Sequence, residues 1–314
     1  MKVVVPEKIS KRGIEELEKA GFKVVQLTPA AVASGDLARE LADAEALIVR
    51  SAVKVTAAML DGAPKLRVIG RAGVGVDNVD VAAATARKIV VMNTPGGSSV
   101  AVAELAMGLM LALARQIPRA DQTTRAGQWE KKSLEGTELS GKTLGLVGFG
   151  RIAVEVARRA RCFDMRIVAY DPVARLEAAH EAGVTMVPLE QLLGQSDYIS
   201  LHVSLTADSQ NLLSDRTFAQ MKRGVKIVNC ARGEVIDEAA LARALESGQV
   251  GGAALDVYRK EPPGALPLFG LANVIATPHL GASTQEAQER VGTAIAVQIK
   301  EYLQDGKLTN AVNP

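Results

Sequence analysis

Short β-branched runs alternate with helical stretches along nearly the whole chain. Residues 2–6 read as a strand. Residues 9–20 carry apolar positions at helical spacing, Ile14 and Leu17, and Gly21 stands where a helix C-cap glycine would. Further strands are predicted over residues 22–27, 46–50 and 66–70, the last two each preceded by a helical stretch, and a strand over 89–92 closes this series. The turn cluster Asn93-Thr94-Pro95-Gly96-Gly97 is a candidate boundary. Residues 98–115 are apolar almost all round, with Glu104 the only internal charge, which predicts a helix buried between domains or in a subunit interface. Residues 119–139 are polar, hold the only tryptophan, Trp129, and lack strong periodicity; they are predicted to leave the compact body. A second series begins at Lys142, with strands over 143–147, 166–169, 198–201, 226–229, 252–255 and 274–276. A final helix over 284–303 is marked by Val291, Ile295, Ile299 and Leu303. Such alternation predicts parallel βαβ units, hence an α/β chain with doubly wound parallel sheets.

Composition narrows the partners. A length of 314 residues predicts two domains. With 48% hydrophobic and 23% charged residues, long disorder is excluded. The 37 basic and 35 acidic side chains leave a net charge of +2, so no nucleic acid or anionic membrane is expected as a partner. Cys162 and Cys230, the only cysteines, cannot build a disulfide framework or a four-cysteine zinc site, and no metal is expected. Pro6 and Glu7 stand where a signal peptide needs an apolar stretch. The longest uncharged run, residues 263–285, contains three prolines and three glycines and does not read as a membrane helix. A soluble cytoplasmic protein is expected.

The cofactor signal lies at Gly148-Phe149-Gly150-Arg151-Ile152-Ala153, directly after the strand 143–147. Gly148 permits a tight turn, Gly150 lets the backbone approach a pyrophosphate, and the small Ala153 allows close helix–sheet packing. A helix N-terminus there faces phosphates with free N–H groups and the positive end of its dipole. Asp171 ends the next strand, 23 residues after Gly148. A carboxylate in that place accepts hydrogen bonds from a ribose 2′-hydroxyl and repels a 2′-phosphate, which favours NAD over NADP.

Catalytic candidates are few. His180 lies in a polar helix beside Glu177 and Glu181 and reads as a surface histidine. His202 ends a strand and is read either as cofactor-facing or as structural. His279, Arg232, Asp256 and Glu261 all follow predicted strands, at the carboxyl edge where α/β enzymes place chemistry. An Arg can pair bidentately with a carboxylate, a His can exchange a hydroxyl proton, and a Glu can orient the imidazole and favour its protonated form. Taken singly, each of the three reads equally well as a member of a surface salt bridge. Together beside a dinucleotide loop they suit hydride transfer at a 2-hydroxy acid.

Seven segments extend the signal: Arg50-Ser51-Ala52, residues 70–80 (Gly-Arg-Ala-Gly-Val-Gly-Val-Asp-Asn-Val-Asp), residues 136–142 (Gly-Thr-Glu-Leu-Ser-Gly-Lys), the Gly148 loop, residues 229–233 (Asn-Cys-Ala-Arg-Gly), residues 254–258 (Ala-Leu-Asp-Val-Tyr) and residues 278–284 (Pro-His-Leu-Gly-Ala-Ser-Thr). On these the chain resembles the D-isomer-specific 2-hydroxyacid dehydrogenase family over essentially its whole length, and most closely its phosphoglycerate-oxidising branch. The resemblance implies a Rossmann-type NAD domain, residues 95–285, inserted into a flavodoxin-like substrate domain made of residues 1–94 and 286–314. It implies Arg232, Glu261 and His279 as the catalytic residues, with His279 as acid/base, and Asp256 at the nicotinamide carboxamide. Gly148, Gly150, Arg151 and Ile152 would lie at the pyrophosphate and Asp171 at the adenosine ribose; Val74, Val203, Cys230, Ala231, Arg232, His279, Gly281 and Ala282 would also contact the cofactor. Arg50, Ser51, Arg71, Gly73 and Val74 would bind the substrate's phosphate or carboxylate. Lys131 would reach a neighbouring subunit's site or stand as a solvated lysine.

The implied reaction is NAD-dependent oxidation of 3-phospho-D-glycerate to 3-phosphohydroxypyruvate, the opening step of serine synthesis, by a homodimer joined through residues 98–115 and the Trp129 segment. A glyoxylate or hydroxypyruvate reductase on the same scaffold, and a non-catalytic NAD-sensing protein, are the alternatives. Three residues depart from the family pattern. Ala153 replaces a third glycine, Asp164 replaces a glycine in a turn that is therefore expected to be altered, and Val74 lacks a hydroxyl. The chain ends at Pro314, where longer relatives continue into a serine-binding domain, so feedback through such a domain is not expected.

Overall fold

Runs of Val, Ile and Leu that are buried on both faces make the central strands of this chain parallel and interior. The computed structural model describes residues 1–173 and 175–313. It divides into two units, Met1–Ser98 with the chain from Ala282 onward, and Ser99–Gly281.

In the first unit, β1 (Lys2–Val5), β2 (Lys23–Gln26), β3 (Ala46–Val49), β4 (Val68–Arg71) and β5 (Val90–Met92) form a parallel sheet in the order β2-β1-β3-β4-β5. All four residues of β1 and of β3 are buried. The helix Lys11–Lys19 starts at Ser10, whose hydroxyl accepts from the Gly13 N–H at 3.0 Å. Ile14 and Leu17 face the core beside Ile295 and Ile299 of the helix Gln285–Asp305. That long helix is capped by Thr284, whose hydroxyl accepts from the Ala287 N–H at 3.1 Å. The chain end returns along β5, with the Val312 N–H on the Val91 carbonyl at 2.8 Å.

In the second unit, β6 (Thr143–Val147), β7 (Arg166–Tyr170), β8 (Thr185–Met186), β9 (Tyr198–Leu201), β10 (Val225–Asn229), β11 (Val250–Leu255) and β12 (Val274–Ala276) form a parallel sheet in the order β12-β11-β10-β9-β6-β7-β8. The direction of winding reverses at β6, which lies between β7 and β9, and ligands bind at such a switch point. The helix Ser99–Arg115 is buried within this unit, packed on the helix Arg151–Arg161, with Arg159 paired to Glu104 at 2.9 Å and Glu155 at 2.7 Å. Among the described residues no single helix is long and apolar enough to cross a membrane.

Two expectations are corrected. Residues 117–125 of the polar stretch are helical, as the helix Ile117–Arg125, set off from the preceding helix by Gln116 in the left-handed region (φ 51°). None of its residues is buried, so no apolar stripe announces it. The turn before β7 keeps a left-handed conformation, because Asp164 itself adopts φ 54° while its carbonyl accepts from the Gly141 N–H at 3.1 Å. Aspartate is among the few residues that tolerate this region.

Removing the cap of the last helix tests the first unit. Thr284→Ala is expected to cost about 1 kcal/mol in urea denaturation, and Thr284→Ser to restore most of it.

Candidate active site

The glycine loop is built from the backbone upward. Gly148 follows β6 with φ 88°, and a Cβ there would lie 2.7–2.8 Å from the backbone of His202 and Val203, so only glycine fits. Its N–H donates to the Tyr170 carbonyl at 2.7 Å. Gly150 is the N-cap of the helix Arg151–Arg161, and a Cβ built on it meets nothing within 4 Å. The first N–H groups of that helix therefore open onto free space, ready for an anion. Asp171 directly follows β7 and ties the loop down: its carboxylate accepts from the Phe149 N–H at 2.7 Å and the Val173 N–H at 2.9 Å. Each carboxylate oxygen can accept again, and the charge opposes a 2′-phosphate. Open N–H donors, an unobstructed glycine and a carboxylate at the next strand end fit a dinucleotide with a free ribose.

A second set leaves β10, β11 and β12. Asn229 holds the loop after β10, its side chain accepting from the Ala231 N–H at 3.0 Å and donating to the Arg232 carbonyl at 2.9 Å. Arg232 donates to the Ala231 carbonyl at 2.7 Å. Cys230 is half-buried on this loop, and burial, with the Asp256 charge adding, pushes its thiol well up, so it is inert packing. After β11, Asp256 is 1% exposed. Its carboxylate accepts from the Thr277 hydroxyl at 2.6 Å, the Leu280 N–H at 2.7 Å and the Gly281 N–H at 2.8 Å. Asp256 thus fixes the loop that carries His279, whose own backbone is left-handed at φ 54°.

Glu261 and His279 meet, with Glu261 Oε2 2.7 Å from His279 Nδ1, and Glu261 Oε1 accepts from the Tyr258 N–H at 3.2 Å. The hydrogen bond to Glu261 raises the His279 pKa above its ordinary value, outweighing burial, which lowers it. Burial pushes the Glu261 carboxyl up, but the hydrogen bond and charge of His279, with Tyr258 N–H and Arg232, leave it below the usual range. The pair is therefore a carboxylate beside an imidazole that readily holds a proton, with Nε2 on the ring's other side.

The first unit carries its own polar edge. Arg50 and Ser51 follow β3; Arg71 ends β4, with Gly73 and Val74 beyond it. Arg71 folds back so that a Cβ on Gly73 would coincide with its guanidinium. Asn93 donates to the Val74 carbonyl at 2.6 Å and Thr94 N–H to the Gly73 carbonyl at 2.9 Å. Ala282 lies in this unit, at the boundary after Gly281. Lys131 is exposed on the segment after the helix Ile117–Arg125, near Trp129, which is 83% exposed. His180 is exposed on the helix Leu176–Ala182. Val203 follows β9, next to Gly148.

His202 is embedded. Nε2 lies 2.9 Å from the Ser200 hydroxyl, and Nδ1 is buried without a partner among the described residues. Burial drops its pKa to about 4. Asn229, Thr277 and Tyr258 were not foreseen as site residues. Asn229 is a polar residue at the end of a largely buried strand, the one sequence signal that marks it; Thr277 follows the partly exposed edge strand β12 and carries no such signal.

Residues 107–281 match the family model described as D-isomer specific 2-hydroxyacid dehydrogenase, NAD binding domain. The chain is 49% identical to the D-3-phosphoglycerate dehydrogenase of Homo sapiens over 312 residues, covering 99% of this chain and 58% of that protein. It spans little more than half the length of the curated relatives it matches. Among solved structures it is similar to the TT0316 protein from Thermus thermophilus, with TM-score 0.91 and 34% identity over 99% of this chain and 100% of that one. It is also similar to the NAD+-bound 3-phosphoglycerate dehydrogenase of Entamoeba histolytica, with TM-score 0.85 and 31% identity over 100% and 99% of the two chains.

The embedded His202 generates an acid-lability prediction. Its folded pKa, about 4, lies below the ordinary 6.5, so the unfolded chain takes up the proton first as pH falls. The neutral ring's contribution is complete above pH 6.5 and is lost progressively down to pH 4, by up to about 3 kcal/mol. In urea titrations stepped through that window, His202→Gln is expected to show a shallower fall in stability than the parent.

Proposed function

The chain belongs to the D-isomer-specific 2-hydroxyacid dehydrogenase family, and from that premise we propose that it oxidises 3-phospho-D-glycerate to 3-phosphohydroxypyruvate with NAD, in serine synthesis. The observation that carries this reading is the 2.7 Å contact of Glu261 with His279 Nδ1 at a strand edge that also presents Arg232. With Nδ1 taken by Glu261, His279 turns Nε2 to the substrate and receives the proton of its C2 hydroxyl. Arg232 pairs with the substrate carboxylate and draws electron density from the forming carbonyl. Glu261 orients the ring and offsets the charge that the imidazolium acquires. NAD, when bound, accepts the hydride that leaves C2. The helix N-terminus at Gly150, Arg151 and Ile152 is assigned to its pyrophosphate and Asp171 to its ribose, with Val203, Ala231, Asp256 and Gly281 along the rest of the cofactor.

Arg50, Ser51, Arg71, Gly73 and Val74 are assigned to the anionic ends of the substrate. A phosphorylated hydroxy acid carries two such ends, and this edge supplies two guanidinium groups for them. The exposed Trp129 supports a homodimer joined through its segment, with Lys131 contributing to the partner's site. The two free cysteines suit the reducing cytoplasm.

Absorbance of reduced nicotinamide, followed at alkaline pH, tests the assignment. Turnover is expected with 3-phosphoglycerate and NAD and not with D-glycerate. Better activity on D-glycerate would move the chain to the hydroxypyruvate reductases, and NAD binding without any turnover would make it a sensor. His279→Ala is expected to lose about 10²–10⁴-fold in kcat while still binding NAD. Oxidation needs His279 neutral, so its rate rises with pH through the raised pKa of that group. Glu261→Gln removes the main cause of the elevation, and the acid limb of the kcat profile is expected to move to lower pH as kcat falls. Sedimentation should give a dimer, and Trp129→Glu should shift it towards monomer.

A further inference from the structure

We infer that Glu7 is a positioning residue for substrate recognition, holding the loop Arg50-Ser51-Ala52-Val53 so that it presents Ser51 and Arg50 to an anion; this rests on the assignment of that loop to the substrate.

Glu7 follows β1, one residue after Pro6, and its side chain crosses to the end of the neighbouring strand β3. Its carboxylate accepts from three backbone N–H groups of one loop: Arg50 at 2.8 Å and Val53 at 3.2 Å on Oε2, and Ala52 at 2.9 Å on Oε1. Successive N–H groups that converge in this way make an anion-binding concavity, and here the chain fills it with its own carboxylate. The loop's carbonyls are held from the other side. Asn78, beyond β4, donates to the Arg50 carbonyl at 3.0 Å and the Val53 carbonyl at 2.7 Å.

A count of donors shows what is left over. Of the four N–H groups in the loop, those of residues 50, 52 and 53 are consumed by Glu7, and that of Ser51 has no partner among the described residues. Ser51 is exposed. Among the described residues the Arg50 guanidinium makes only a 3.3 Å contact with the Lys8 carbonyl, and Glu7 does not pair with it. The carboxylate therefore shapes the loop without neutralising its cation. Ser51 N–H, Ser51 hydroxyl and Arg50 are the groups that remain for a phosphate or carboxylate.

Only a carboxylate can do this. A glutamine in place of Glu7 has a single acceptor oxygen, and its amide N–H₂ would face a backbone donor. An aspartate keeps the charge but is one methylene shorter, so it reaches fewer of the three.

Two measurements decide it. In steady-state kinetics, Glu7→Gln is expected to raise KM for 3-phosphoglycerate about tenfold, with kcat and KM for NAD within about twofold of the parent, and Glu7→Asp to recover part of the loss. An unchanged KM overturns the inference. So does a lowered one, which would make Glu7 a competing anion. Residue-resolved hydrogen exchange on the parent protein is the second measurement and needs no variant to fold. The amides of Arg50, Ala52 and Val53 should exchange more slowly than that of Ser51, and 3-phosphoglycerate should slow the Ser51 amide. Equal exchange across the loop overturns the inference. If the parent turns over no 3-phosphoglycerate, the functional assignment has failed, and exchange at Ser51 under other 2-hydroxy acids decides whether Glu7 still presents the loop to an anion.

Discussion

Backbone meets backbone where the loop after β10 passes the loop after β11. A Cβ added to Gly233 would lie 1.9 Å from the carbonyl carbon of Tyr258 and 2.2 Å from the Arg259 nitrogen, so no other residue fits without moving the chain. The residue after Arg232 is thereby locked to Tyr258 and Arg259, three and two residues before Glu261. From Tyr258 the constraint spreads through hydrogen bonds. Its N–H reaches Glu261, and its hydroxyl lies 3.0 Å from the Leu255 carbonyl and 2.9 Å from the Thr277 carbonyl. Thr277 holds Asp256, and Asp256 holds the loop that carries His279. Three groups from three strand ends keep their spacing because one contact admits no side chain.

Histidine illustrates how placement in such a sheet selects chemistry. His202 and His279 both follow strand ends of the same sheet. His202 has its ring nitrogens shielded, with the Ser200 hydroxyl as the ring's one partner among the described residues, and is held towards the neutral form; His279 has a carboxylate at 2.7 Å and is drawn towards the protonated form. A residue that must take up a proton in one direction of a reaction and release it in the other needs the second environment.

Much of this is legible in the sequence for one reason: a parallel strand buried on both faces must be a continuous apolar run. β3, β6 and β9 are delimited to within a residue by such runs. β8, with two residues, and the helix Ile117–Arg125, with no buried face, leave no such trace. The glycine loop and the Arg-Glu-His set are legible because their chemistry restricts residue type. Asn229, Thr277, Glu7 and Asn78 are not, because a polar residue that bonds to backbone looks like any loop polar residue until the chain that it touches is known. Their partners lie as much as 46 residues away in sequence, as for Glu7 and Val53. Asp171 stands out for its chemistry alone; that it also pins Phe149 N–H requires the fold.

These residues share a device. At the carboxyl edge of a parallel sheet the strands end with N–H groups that the ladder no longer satisfies, and the loops beyond them would be mobile if left to water. In both units a side-chain acceptor takes up those N–H groups: Glu7 at Arg50–Val53, Asp171 at Phe149 and Val173, Asn229 at Ala231, Asp256 at Leu280 and Gly281. Three of the four are carboxylates, and a charged acceptor makes the stronger bond to an amide. Each such bond orders the loop before any ligand arrives, so the conformational entropy is lost on folding and not again on binding. The same acceptors also decide which donors stay open. With Phe149, Ala52 and Gly281 satisfied internally, the first turn of the helix Arg151–Arg161, Ser51 and the imidazole of His279 are left facing outward: two sets of donors open to anions and one ring able to exchange a proton.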